Sequence, residues 1–246
     1  ETASRESIWT MLPGLPTEIN LWRASLSAGL DAYAGNTDQQ NLTAFVSADR
    51  EDPITHLDLD YTTSFGVTGG VQNVKRHRAT AEFDVYFNRA LFAGLPFIEY
   101  SSDTFQNLEQ RVISGLGLGY RFLDFDDIEW DAQAGLGHQY TQYVSVAPGQ
   151  DQRENDVGLR FTTNLDWDIT EDLSFEFSQG AVLLLIDFEQ SNFHTQGSLV
   201  YDVTDLIYLE FSAWYDRVLD PRPTADGSVP NANDARTVVS IGLNFD

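Results

Sequence analysis

The sequence predicts an all-β fold: a single transmembrane antiparallel β-barrel of about 12 strands, with both termini in the periplasm. Three observations predict it. Apolar and polar residues alternate with a period of two through one segment after another. Tight and long connections take turns between those segments. The final segment keeps the alternation up to Phe245, one residue before the chain stops.

The final segment shows the pattern most clearly. Val239, Ile241, Leu243 and Phe245 point one way, and Ser240, Gly242 and Asn244 the other, because side chains on a strand alternate faces. The same pattern appears at Trp22–Leu30 and at Leu42–Ala48. It continues at Leu57–Phe65, where Asp58 and Asp60 hold the polar face, and at Ala79–Phe87, where Arg78, Thr80, Glu82, Asp84 and Tyr86 do. A less regular strand over Leu91–Tyr100 is broken by Gly94 and Pro96. Next, Leu116, Leu118, Tyr120 and Phe122 alternate with Gly115, Gly117, Gly119 and Arg121. In the second half, Ile128–Leu136, Leu159–Trp167, Phe175–Leu185, Leu199–Val203 and Leu209–Tyr215 repeat it. Many of these segments are roughly 9–11 residues long, the length that crosses a bilayer at a tilt.

Connections follow the same logic. Arg50–Thr55, Leu123–Asp127, Thr170–Asp172 and Thr204–Leu206 read as tight turns. Val67–Lys75, Ser101–Gln110, Val146–Asp156 and Leu219–Arg236 read as long polar loops, and Gly35–Gln40 as a shorter one. Bacterial barrels place short turns in the periplasm and longer loops outside. Residues 22–246 form the barrel on this reading. Residues 1–21 do not alternate, contain Pro13, Gly14 and Pro16, and read as a periplasmic extension or short plug. The chain opens at Glu1 with no signal peptide, as a mature or trimmed exported protein would.

Composition narrows the partners. A net charge of −24 excludes nucleic acid, whose phosphates need a basic face. No apolar run approaches the roughly 20 residues of a transmembrane helix, a test that does not apply to barrels. With no cysteine there is no disulfide framework and no thiolate metal site. The alternative fold is a soluble sandwich or lipocalin-like barrel. Packing it on the polar face would bury unpaired carboxylates at heavy cost, which favours lipid outside and water within.

Two stretches carry a resemblance. Ala34–Gly35–Asn36–Thr37 and Gly115–Leu116–Gly117–Leu118–Gly119–Tyr120–Arg121 resemble the family of salt-induced outer-membrane β-barrel proteins, a domain-of-unknown-function family. The resemblance runs from Trp22 to the C-terminus. It implies a bacterial outer-membrane barrel and brings no established catalytic or ligand-binding residues. Asp246 after Phe245 departs from the usual terminal aromatic residue.

Strand direction assigns a depth to each inward residue. Asp58, Asp60, Glu82, Asp84, Glu129, Asp131, Asp166, Asp168, Glu176, Asp202 and Glu210 are expected in the periplasmic half of the lumen, as an acidic ring. Arg23 and Arg121 are the expected inward arginines of that half, and Arg160 is a third lumenal arginine. Such a ring concentrates cations and repels anions. Inward Gly115, Gly117, Gly119, Gly135 and Gly137 leave space that Trp214, Tyr86, Tyr208 or the segment Ile8–Leu15 could fill.

Other chemistry is sparse. His138 faces outward with Ser145 nearby in sequence, but its context does not resemble a lipase motif, so no enzyme is expected. His56, His77 and His194 are scattered without zinc spacing, and Asp124, Asp126 and Asp127 read as a solvated turn; no metal or cofactor is expected. Lys75, Arg76, His77 and Arg78 form a loop cluster that could meet lipopolysaccharide phosphates. The expected function is a narrow pore for small solutes or cations, constricted by the acidic ring and the loop Leu219–Arg236, with membrane lipid and lipopolysaccharide as surroundings. The alternative is a non-conducting scaffold that binds unknown protein partners through its loops or N-terminal segment.

Overall fold

A computed structural model describes residues 18–33 and 39–245. The expected plug over residues 1–21 therefore lies almost wholly outside the described residues, as do the Gly35 loop and Asp246. Residues Glu18–Leu21 form a short 3-10 turn, and Glu18 is tied to Arg50 of the first periplasmic hairpin (2.7 Å).

Twelve antiparallel strands close into one barrel among the described residues. They are β1 (Trp22–Tyr33), β2 (Gln39–Glu51), β3 (Thr55–Thr68), β4 (Val71–Tyr86), β5 (Leu91–Asp103) and β6 (Leu108–Asp124). Then come β7 (Ile128–Tyr143), β8 (Arg153–Thr170), β9 (Leu173–Leu184), β10 (Asn192–Asp202), β11 (Ile207–Val218) and β12 (Asn233–Phe245). Every strand pairs with its sequence neighbours, and β12 closes on β1 with Leu26 opposite Leu243 and Ser27 opposite Gly242. Closure leaves no sheet edge, so the backbone hydrogen bonds are satisfied within the barrel, as a spanning structure requires.

The faces separate as the alternation dictates. Leu136 and Leu118 are each 61% exposed on the outside, whereas inward Ser27, Ser198 and Ser212 are each 1% exposed. An apolar exterior around a polar interior inverts the burial pattern of a water-soluble protein and matches a barrel in lipid. Tyr120, Phe122 and Trp130 form an outward aromatic row near the tight-turn end, with centroids 5.2 and 5.0 Å apart. The Trp130 indole N–H donates to Thr163 Oγ1 (2.8 Å), giving the ring a polar anchor.

Two loops expected to be long are not. Val67–Lys75 is mostly strand: β3 and β4 run on to a two-residue turn at Gly69 and Gly70, with φ of +58° and +80°. A Gly-Gly pair supplies the positive φ that a tight hairpin turn needs, so the polar stretch around it does not have to be loop. Ser101–Gln110 shrinks likewise. Asp103 caps a single 3-10 turn at Thr104–Gln106, and Asn107 (φ 59°) returns the chain into β6. The irregularity expected at Gly94 and Pro96 is a register shift between Gly94 and Phe97. Pro96 has no N–H to give to a ladder, and the shift keeps both Phe92 and Phe97 on the inner face.

Candidate functional site

The candidate site is the lumen, which has three zones. In the periplasmic half, cross-strand register sets acids directly beside one another. Asp49, Asp58 and Glu82 form one lateral row across β2, β3 and β4. Glu129, Asp166 and Glu176 form another across β7, β8 and β9. Like charges directly opposite each other destabilise a sheet, so these rows need cations or water to offset them.

Some of the expected acids have cationic partners. Glu129 pairs with Arg121 (2.8 Å), Glu82 with Arg160 (3.0 Å) and Asp84 with His56 (3.8 Å). Arg23 is taken by Asp49 (2.7 Å). Others have only neutral donors: Asp60 accepts from Thr80 (3.3 Å), Asp131 from Asn164 (3.3 Å), and Glu210 from Ser240 (3.3 Å) and Ser212. Asp168 lies opposite Ser174, and Asp202 opposite Tyr208. Among the described residues, Asp58, Asp60, Asp131, Asp166, Asp168, Glu176 and Glu210 form no ion pair. No group of three or more His, Asp or Glu among the described residues is placed to hold a metal ion.

The middle zone is narrowed by contacts between strands that are not neighbours. Arg160 of β8 reaches Glu82 of β4, donates to Gln133 (2.7 Å) and lies 4.1 Å over the Phe97 ring. Phe45 of β2 stacks on Trp214 of β11 at 5.4 Å, and Arg236 of β12 covers the same indole at 4.9 Å. The glycine patch is filled, but not by the residues expected. Phe97 and Phe92 of β5 occupy it: a Cβ on Gly115 would sit 2.8 Å from Phe97, and one on Gly119 would overlap the Phe92 ring. Tyr86 meets Phe92 edge-on instead, and Tyr208 packs on Gly242. The irregular β5 hid this, because the bulge changes which of its residues point inward.

The extracellular zone was not expected. The supposed loop cluster Lys75–Arg78 is strand, so parity splits it. Lys75 and His77 face outward, His77 against Tyr61 (2.9 Å), while Arg76 and Arg78 enter the lumen. Arg76 bridges Asp103 and Asp234 (2.5 Å each), the latter across from β4 to β12. Arg78 pairs with Glu99 (2.9 Å), and His194 with Asp216 (2.5 Å). The inward parity of Asp49, Asp216 and Arg236 was present in the sequence, since each follows an outward residue of apolar character, Ala48, Tyr215 and Ala235.

Above this zone, the β11–β12 loop lies across the mouth. Arg222 pairs with Glu154 at the start of β8 (2.7 Å) and Asp187 of the β9–β10 loop (2.6 Å). The Arg222 carbonyl accepts from Asn107 (3.3 Å). Burial pulls the Arg222 guanidinium down, but the two carboxylates outweigh it and hold it above its ordinary value. At the loop tip, hydroxyl and amide donors from Thr224 and Ser228 hold Asp226 down at about 2. His138 faces lipid, and no hydrogen bond joins it to Ser145, which instead serves the loop through Ala225 and Asn107.

The family described as "Protein of unknown function, DUF481" matches residues 26–245. The chain belongs to this family. No curated protein matches the sequence. Among solved structures, the NanC porin is similar at a TM-score of 0.51 with 11% identity, covering 91% of this chain and 99% of that one. An outer membrane channel from Pseudomonas putida F1 is similar at 0.47 and 10% identity, covering 99% of both chains. The translocator domain of the autotransporter NalP from Neisseria meningitidis is similar at 0.44 and 10%, covering 96% of this chain and 90% of that one. This family member is an outer-membrane β-barrel with a porin-like fold. Its family carries no assigned function.

Proposed function

We propose that the barrel is a narrow channel that favours small cations, with side chains rather than a separate domain restricting its lumen. The observation that carries this reading is the surplus of lumenal carboxylates without cationic partners in the periplasmic half, with Asp166 and Glu176 directly opposite each other. In a water-filled pore with low-dielectric walls, such acids raise the local cation concentration and repel anions. Arg160, held between Glu82, Gln133 and Phe97, is the constriction. Because it is a hydrogen-bonded side chain, its rearrangement opens the path without unfolding a strand.

A second reading has its own support. The Arg160–Glu82, Arg76–Asp234 and Phe45–Trp214 contacts all bridge strands that do not pair with each other, as in a barrel that stays shut and binds partners through its loops. Planar-bilayer recording of the purified protein separates the two. The channel reading expects small cation-preferring conductances, reduced in preference by Asp166→Asn with Glu176→Gln. Anion preference, or no conductance even in Glu82→Gln, removes it.

A further inference from the structure

We propose that the extracellular half of the lumen holds a binding site for a small oxyanion, built on Arg111 of β6 and Arg236 of β12. Both line one lumenal cavity of about 120 Å³ below the β11–β12 loop. Four carboxylates border it, and each is already engaged. Glu99 is held by Arg78, Asp103 and Asp234 by Arg76, and Asp216 by His194. Arg111 forms no ion pair and no side-chain hydrogen bond among the described residues, and its buried Nε has no partner. Arg236 forms no ion pair either. One of its amino groups donates to Ser64 (3.3 Å), while its Nε is also buried and without a partner.

Arg111 and Arg236 are half-buried, and each keeps a buried Nε–H without an acceptor, a cost that an oxyanion in the cavity would relieve. A buried donor without an acceptor loses its hydration and gains nothing in exchange. Guanidinium is also a poor proton donor, so it does not escape by becoming neutral. Its planar fork matches the oxygens of a carboxylate or phosphate, and pairs of this kind are among the stronger hydrogen bonds a protein makes. The register strengthens the case: Arg111 lies between Ser101 and Thr141, neutral hydroxyl residues that do not compete as counter-ions. The four inward arginines Arg76, Arg78, Arg111 and Arg236 balance the four carboxylates in formal charge, so the site would recognise an oxyanion through unsatisfied guanidinium donors rather than through a net positive field. The site would capture anionic groups entering from outside, and its existence does not depend on the barrel conducting.

Calorimetric titration of the full chain in detergent tests it, with succinate and inorganic phosphate as probes and chloride at equal ionic strength as the baseline. Saturable binding of either probe is expected, and the stronger of the two identifies the oxyanion class. Arg111→Gln and Arg236→Gln should each weaken that binding at least tenfold while keeping the heat-modifiable gel mobility of a folded barrel. Because Arg236 covers Trp214, the same titration should shift tryptophan emission, and Trp214→Phe should remove the shift but not the heat of binding. No binding beyond that of chloride, or equal binding in both arginine variants, would overturn the proposal.

Discussion

Glu82 and Arg160 meet across the lumen at 3.0 Å, although β5, β6 and β7 separate their strands. This pair joins the lateral acidic row of Asp49, Asp58 and Glu82 to the opposite wall. Removing either partner should therefore shift selectivity in opposite directions. Arg160→Gln leaves Glu82 uncompensated and should strengthen cation preference. Glu82→Gln leaves Arg160 on Gln133 and should weaken it. Paired reversal potentials in a salt gradient measure both, and shifts of the same sign would contradict the pairing.

Gly119 is a packing requirement. A Cβ there would overlap the Phe92 ring, which is only 4% exposed. Gly119→Ala should cost about 1–3 kcal/mol through overpacking. Phe92→Ala should cost about 3–5 kcal/mol through the lost ring. Since each change alters the space the other needs, the double variant should cost less than the sum. Urea unfolding in lipid vesicles reads all three.

Lipid-face and lumen positions on neighbouring strands should respond differently to the same substitution. Leu136 is 61% exposed near the middle of β7, whereas Thr162 on β8 points inward. Leu136→Arg should destabilise by about 2–4 kcal/mol, the cost of a guanidinium near the bilayer midplane. Thr162→Arg should cost much less and instead lower cation preference. Equal losses of stability would contradict the assignment of faces.

Arg222 fastens the β11–β12 loop through Glu154 and Asp187. Arg222→Gln should release the loop, leaving the barrel folded but making residues 219–232 cleavable by protease added outside. Cleavage at the wild-type rate would show that the loop is held by other contacts, such as the Asn107 bond to the Arg222 carbonyl.

Asp226 supplies a pH dependence. Its carboxyl is held down at about 2, against an ordinary 3.8, by Thr224 and Ser228 donors that favour the charged form. The sign follows from linkage: a depressed folded value stabilises the loop tip above the ordinary value, and that stabilisation fades as pH falls through about 2. Carbon-detected titration of labelled aspartate should place Asp226 near 2 in the wild type. In Thr224→Ala with Ser228→Ala it should return toward 3.8.

The barrel was legible because a period of two survives wherever one face meets lipid and the other water. The wall at β12 reads directly from Val239 to Phe245, and the closure on Leu26 follows from an even number of strands. The lumen was legible in parity but not in contact. Glu82 was placed inward by its neighbours Ala81 and Phe83, yet nothing local announces a partner on β8. Arg78 was read on the polar face of its strand, but Arg76 was obscured for a different reason: polar residues near Gly69 and Gly70 look like loop, and only the tight turn shows them to be strand. Phe97 was hidden by the register shift at Gly94: Gly94 and Pro96 mark an irregularity in the sequence but do not say how parity resets after it. The expected extension or short plug over residues 1–21 lies outside the described residues except for the turn at Glu18–Leu21.

The most direct test of the account is the reversal potential of single channels of the purified protein in a potassium chloride gradient. The uncompensated acids of the periplasmic half, Asp166 and Glu176 among them, call for a reversal potential on the potassium side of zero. It should move toward zero in Asp166→Asn with Glu176→Gln. A potential on the chloride side, or one that the double variant leaves unchanged, would contradict it.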